Sequence, residues 1–203
     1  MAAPLLHVAL LTPLIPQNTG TIGRLALALG CRLHLVGRLG FDTDEKACRR
    51  AGLDYWRDVD WTHHADLEAL AAALPAGSRT WAFSTRAERL HTEADFCEGD
   101  CLLFGDEVNG LPEAVLAGVG PRALRIPQRD PRVRSLNLAN AASVGVYEAY
   151  RQLGFPGVTA PSRPGAHGRD GSSSAVLSES RSGRPGIPFP APPSDPEPAC
   201  TQS

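Results

Sequence analysis

The stretch Leu103-Phe104-Gly105-Asp106-Glu107-Val108-Asn109-Gly110-Leu111-Pro112 decides how this chain is read: an apolar run ends in a glycine-flanked acidic loop, and Pro112 opens a new segment. A short apolar run bounded by glycine reads as a buried strand, and proline is favoured at the first position of a helix. The stretch is therefore strand, loop and helix in series. Gly105 and Gly110 let backbone come close to a flat ligand, while Glu107 can accept hydrogen bonds from a ribose or an amine. A plain strand-to-helix turn explains the glycines but does not require Glu107.

Outward from this stretch the same alternation recurs. Strands are expected at Leu6–Leu11, Arg32–Val36, Val59–Trp61, Thr80–Ser84, Cys101–Phe104 and Ala123–Ile126. Helices are expected at Thr21–Leu29, stopped by Gly30; Asp44–Ala51, stopped by Gly52; Ala65–Leu74, stopped by Pro75; and Glu113–Ala117, stopped by Gly118. The last helix, Leu138–Gln152, carries Ala139, Ala142, Val146 and Ala149 on one small-residue face, suited to the core or to a subunit interface. Strands alternating with helices define an α/β domain with a largely parallel sheet.

Two further polar junctions stand out. Pro16-Gln17-Asn18-Thr19-Gly20-Thr21-Ile22-Gly23-Arg24 lies between the first strand and the first helix, where ligands of open α/β sheets collect. Its bland reading is a turn with Asn18 or Thr19 as a helix cap. The other junction runs from Ile126-Pro127 through Arg129, Arg132 and Arg134 to Ser135-Leu136-Asn137-Leu138-Ala139-Asn140. Backbone N–H groups at a helix start, beside Ser and Asn side chains, make a cradle for an anion or nucleotide, and the arginines can reach phosphates. No G-x-G-x-x-G occurs, which disfavours a dinucleotide dehydrogenase.

The 203 residues suit one well-buried domain. A formal charge of −2 means that any nucleic acid must be held by a local basic patch. Five cysteines, odd in number and irregularly spaced, offer no paired C-x-x-C units for zinc and point to a reducing cytoplasm. The apolar run Leu5 to Leu11 has neither a basic leader nor a spanning length, so no membrane insertion is expected. Residues 156–203 are more than half Pro, Gly and Ser, with four arginines and no lysine. Such a segment cannot bury enough apolar surface to offset its ordering entropy, so the expected division is a domain at 1–155 and a disordered tail at 156–203.

Together the three junctions resemble the SPOUT class of RNA methyltransferases, and within it the TrmL-like (YibK-like) tRNA wobble-nucleotide 2′-O-methyltransferases. Asn18 to Arg24 is similar to the first motif, Phe104-Gly105-x-Glu107-x-x-Gly110-Leu111-Pro112 to the second, and Arg134-Ser135-Leu136-Asn137-Leu138-Ala139-Asn140 with Val146-Tyr147-Glu148-Ala149 to the third. Gly40-Phe41 and Arg49 to Tyr55 also resemble stretches of TrmL-like members. The likeness runs from about residue 5 to residue 157.

The resemblance implies an α/β-knot fold: a mostly parallel sheet flanked by helices, with a deep C-terminal trefoil knot, and a homodimer that completes each active site. It implies methyl transfer from S-adenosylmethionine to the ribose 2′-hydroxyl of nucleotide 34 of tRNA, cytidine or a modified uridine, in leucine isoacceptors. By position, Phe83, Gly105, Ile126 and Ser135 would bind the methyl donor. Asn18, Arg24, Glu107, Ser135 and Asn137 would form the catalytic and substrate-orienting set, with no metal. The chain departs from the family at Thr21, often Asn; at Asn109, often Arg; and in the loop Gln128–Val133, one residue longer than usual.

Two other features have bland readings. His63-His64 lack a carboxylate cluster and read as surface polarity, and Trp56, Trp61 and Trp81 read as core more readily than as base-stacking platforms. Two alternatives to the tRNA wobble enzyme remain open: a SPOUT enzyme acting on another tRNA position or on rRNA, and a non-catalytic nucleotide- or RNA-binding module.

Overall fold

Residues of alternating parity along the central strands face opposite sides of one sheet, so two layers of helices are needed to cover it. A computed structural model describes residues 3–41 and 55–158. The elements are β1 (His7–Leu11), α1 (Pro16–Leu29), β2 (Arg32–Val36), β3 (Trp61–His64), α2 (Leu67–Ala73), β4 (Thr80–Phe83), β5 (Cys101–Phe104), α3 (Glu113–Val119), β6 (Ala123–Leu124) and α4 (Leu138–Gln152). The helix expected at Asp44–Ala51 and the expected tail beyond residue 158 lie outside the described residues. No described helix is long and apolar enough to cross a membrane.

The strands form a six-stranded sheet in the order β3-β2-β1-β5-β4-β6, parallel throughout. On one face Val8, Leu10, Leu33, Leu35, Leu102 and Phe104 pack with Ile22 and Ala26 of α1 and Ala142, Val146 and Ala149 of α4. On the other face Ala9, Val36, Ala82, Cys101 and Leu103 pack with Leu70 of α2 and Leu116 of α3. The small-residue face of α4 is thus core, buried between the sheet and α1. Gly145 lets α4 sit close to the sheet: a Cβ there would stand 2.7 Å from the Phe83 ring, which itself stacks on Phe104 at 4.6 Å.

Strand order places the site. β1 leads through α1 to β2 on one side, while β5 leads through α3 to β6 on the other, so the loops leaving β1 and β5 part from one another. A crevice at the carboxyl ends of two such neighbours is where open α/β sheets bind ligands.

Three boundaries differ from the sequence reading. Helix α1 begins at Pro16, not Thr21, so Asn18 and Thr19 lie inside its first turn and neither caps it. Proline suits that first position because its missing N–H has no partner there anyway. Strand β3 begins at Trp61, where the expected Val59–Trp61 run ends; Val59 instead follows a 3-10 turn at Trp56–Asp58. At the end of α4, Phe155 turns back onto Tyr150, whose hydroxyl donates to the Pro156 carbonyl at 3.0 Å. Contacts with the domain therefore reach past the expected boundary at 155.

The shifted β3 also corrects the reading of His64 as surface polarity. His63 is exposed, with Nε2 2.8 Å from the Gly37 carbonyl, but His64 is only 7% exposed. It ends a diagonal row across three strands: His7 Nδ1 lies 2.8 Å from His34 Nε2, and His34 Nδ1 lies 2.8 Å from His64 Nε2. Trp56 and Trp81 are core, and Trp61 packs against Trp56 at a ring separation of 5.5 Å.

Burial is the main cause of a lowered pKa at all three histidines, and it takes His34 furthest, from 6.5 to about 3. Burial therefore disfavours the charged rings in the native state, and holds His34 neutral, while the unfolded chain takes up protons below about pH 6.5. Stability present above that pH is lost as the pH falls, with His34 alone contributing up to about 1.4 kcal/mol per pH unit. Urea midpoints measured at pH 7, 6 and 5 should fall steadily over this window. A flat profile from pH 7 to 5 would remove the row from the stability of the fold.

Candidate active site

The crevice between β1 and β5 is closed by one carboxylate. Glu107, in the loop after β5, accepts from the Leu14 backbone N–H through Oε2 at 2.9 Å and from the Ile15 N–H through Oε1 at 3.1 Å. Oε1 also accepts from Asn18 Nδ2 at 2.9 Å. The carboxylate sits at the start of α1, where unpaired N–H groups and the helix dipole favour negative charge. It supplies the acceptor that no cap side chain provides there.

Asn18 passes the connection on. Its Oδ1 accepts from Asn137 Nδ2 at 2.9 Å, and Asn137 Oδ1 accepts from the Ala139 and Asn140 N–H groups at 2.9 and 3.3 Å as the N-cap of α4. Three loops far apart in the chain are joined through two side-chain amides and one carboxylate. Glu107, expected to accept from a ligand, has both oxygens engaged by the protein.

The loop after β5 is shaped by its own backbone. Gly105 is required by close approach, since a Cβ there would meet the Gly110 carbonyl carbon at 2.1 Å. Gly110 has φ +69°, a left-handed conformation that glycine adopts without strain. Asp106 Oδ1 accepts from the Val108 and Asn109 N–H groups at 2.8 and 2.6 Å, folding the loop into a tight turn. Asn109, where the family often carries arginine, directs Nδ2 to Asp106 Oδ2 at 3.3 Å.

These loops enclose a cavity of about 630 Å³. That volume lies within the roughly 300–1,000 Å³ common for small-molecule sites. Phe83, Gly105, Ile126 and Ser135 line it, as do Asn18, Glu107 and Asn137. Arg24 does not: it is exposed on α1, with its guanidinium 4.4 Å from the centre of the Tyr55 ring. The sequence reading missed Arg86 and the role of Gln128 in the lining. Arg86 donates to Glu113 Oε2 at 3.0 Å and to the Leu111 carbonyl, tying the loop after β4 to the start of α3. Its place just past the carboxyl end of a strand was the available signal.

The cavity suits an adenosine-containing molecule. Phe83, Phe104 and Ile126 offer an apolar wall for a flat ring. Gln128 adds a side-chain oxygen shielded from solvent and lacking any hydrogen-bond partner. Among the described residues no cluster of His, Cys, Asp or Glu is placed to hold a metal ion.

A parallel sheet with three polar loops joined around one nucleotide-sized cavity defines a SPOUT-type methyltransferase domain. Residues 5–147 match the SpoU rRNA Methylase family, and the chain belongs to it, in its TrmL-like branch. It is 49% identical over 154 residues to a tRNA (cytidine(34)-2′-O)-methyltransferase of Saccharophagus degradans, covering 74% of this chain and 97% of that protein. The protein of the same description from Escherichia coli K12 is 44% identical over 155 residues, with 75% and 97% covered. A solved structure described as giving insight into the 2-OH methylation of C/U34 on tRNA has a TM-score of 0.69 at 53% identity, covering 74% of this chain and 97% of that one. The AdoMet complex of the SpoU methyltransferase AviRb from Streptomyces viridochromogenes has a TM-score of 0.65 at 26% identity, covering 75% and 59%.

Removing the Glu107 carboxylate strands three donors at once. Glu107→Ala should lower stability by about 1–3 kcal/mol and the melting temperature by roughly 3–10 °C, with Glu107→Gln falling between it and the parent. Calorimetric melts of the three proteins check this. Coincident melts would mean that water replaces the carboxylate without cost.

Proposed function

We propose that this chain transfers a methyl group from S-adenosylmethionine to the ribose 2′-hydroxyl of nucleotide 34 of tRNA, cytidine or a modified uridine, with leucine isoacceptors as its targets. The observation that carries the reading is the Glu107–Asn18–Asn137 connection, which gathers all three motif loops around one cavity at the carboxyl edge of the sheet. The reading extends to a cytoplasmic homodimer, a C-terminal trefoil knot, and a catalytic domain that ends close to residue 155, with the Pro-, Gly- and Ser-rich remainder outside it.

The bound donor supplies a methyl already activated by positive sulfur, so the chain's own work is alignment and proton management. Phe83, Gly105, Ile126 and Ser135 hold the donor, while Asn18, Glu107 and Asn137 fix the loops that orient it. Arg24 follows Asn18 by six residues, roughly 240° around an α-helix, which directs it away from the cavity that Asn18 lines. In a homodimer that direction lets Arg24 serve the partner's cavity. The exposed apolar side chains Leu27 on α1 and Val144 and Tyr147 on α4 support such pairing.

A guanidinium with a pKa above about 12 does not act as a base at neutral pH. Arg24 instead clamps an RNA phosphate and steadies the developing alkoxide, and the hydroxyl proton leaves to RNA phosphate or water.

The test is incubation with methyl-labelled S-adenosylmethionine and total tRNA, followed by mapping of the labelled nucleotide to position 34. Label confined to rRNA would move the substrate to another RNA. Tight donor binding without transfer to any RNA would leave a binding module. In the same assay Arg24→Ala should keep donor affinity within a few-fold while abolishing transfer, and turnover near the parent level would remove Arg24 from the chemistry.

A further inference from the structure

Arginines elsewhere in the described residues pair with carboxylates, as Arg32 does with Asp60, Arg79 with Asp100 and Arg151 with Glu148. Arg24 is held in another way. Its side chain is exposed, and among the described residues its guanidinium meets the face of the Tyr55 ring, 4.4 Å from the ring centre. A carboxylate cancels the charge of an arginine and engages its fork of N–H donors. An aromatic face attracts the cation and leaves it charged.

Tyr55 is itself fixed to the helix that carries Arg24. Its hydroxyl donates to the Gly20 carbonyl at 3.0 Å. In an α-helix that carbonyl also accepts from the N–H four residues on, which belongs to Arg24, so the ring is tied to the turn of α1 from which Arg24 projects. The next residue, Trp56, is buried against Gly23, where a Cβ would stand 2.8 Å from the indole. Its far side packs on Trp61 at a ring separation of 5.5 Å. Two neighbouring side chains therefore grip one turn of α1, and the Tyr55 ring forms a fixed shelf beside it.

A shelf of this kind matters because an exposed arginine has a long, rotamer-rich side chain whose freedom is lost when it engages a ligand. Restraining it before RNA arrives removes part of that loss from the reaction. We propose that Tyr55 is a positioning residue for methyl transfer: its ring holds the Arg24 guanidinium, still charged, in the place from which it meets the RNA. The proposal rests on the role of Arg24 in transfer put forward above.

Single-turnover transfer to tRNA tests this in the full chain, with Tyr55→Phe as the reference for Tyr55→Leu and for mono-, di- and trifluorinated phenylalanine at position 55. Fluorination drains electron density from the ring face while nearly keeping its shape. Tyr55→Leu should slow transfer about fivefold relative to Tyr55→Phe, the worth of one exposed cation–π contact, and the fluorinated series should fall stepwise towards that value. Melting temperature and calorimetric affinity for S-adenosylhomocysteine should stay level across the fluorinated series, because a ring that only packs does not respond to its own charge distribution. Transfer that ignores fluorination, or that is faster in Tyr55→Leu than in the parent, overturns the proposal while leaving Arg24 in the chemistry. Parent-level turnover by Arg24→Ala overturns both.

Discussion

The Glu107 carboxylate at the start of α1 is the constraint on which the site depends. β1 and β5 are neighbours in the sheet, yet their following loops diverge, so nothing in the strand pairing holds those loops together. Three donors converging on Glu107 do so, and they place negative charge where the helix dipole favours it. Asn18 then extends the connection to Asn137, 119 residues further along the chain, and through it to the first amides of α4. The cavity is thus a consequence of ordered hydrogen bonding between loops, laid over a sheet whose topology only brings them near.

Much of the scaffold was legible because its signals are local. The runs Arg32–Val36 and Cys101–Phe104 and the helix Leu138–Gln152 stand where apolar pattern and glycine or proline stops put them. The failures have specific causes. β3 was misplaced because its buried end is His64, whose partner His34 lies on another strand, so the period-two pattern does not show in hydrophobicity. The start of α1 was set five residues late because Asn18 and Thr19 look like caps, whereas the helix starts at Pro16 with no side-chain cap and Asn18 turns its amide to Glu107, 89 residues away.

The site was legible as a set of residues and less so as a set of roles. Motif spacing and family resemblance named seven residues that line one cavity, but sequence does not say whether a polar group faces ligand or protein. Glu107 faces protein. Arg24 is the opposite case: the expected helix began at Thr21 with Asn18 ahead of it, and only the observed start at Pro16 puts both residues on one helix, where Asn18 lines the cavity and Arg24 does not. Arg86 carried no motif of its own and is recognised only through its bonds to Glu113 and Leu111.

A cavity whose polar side chains are mostly satisfied by one another is stiff and chemically quiet. For acid–base or nucleophilic catalysis that would be a poor arrangement, because such chemistry needs a side chain with an unengaged proton or lone pair beside the substrate. For displacement at an already activated methyl it is a good one: misalignment is the main barrier, and internally bonded loops reduce it before any ligand arrives. The same helix also presents a second surface: Asn18 lines the cavity while Arg24, exposed on a different face of α1, lies over the Tyr55 ring, so the hydrogen bonds that stiffen the cavity do not extend to Arg24.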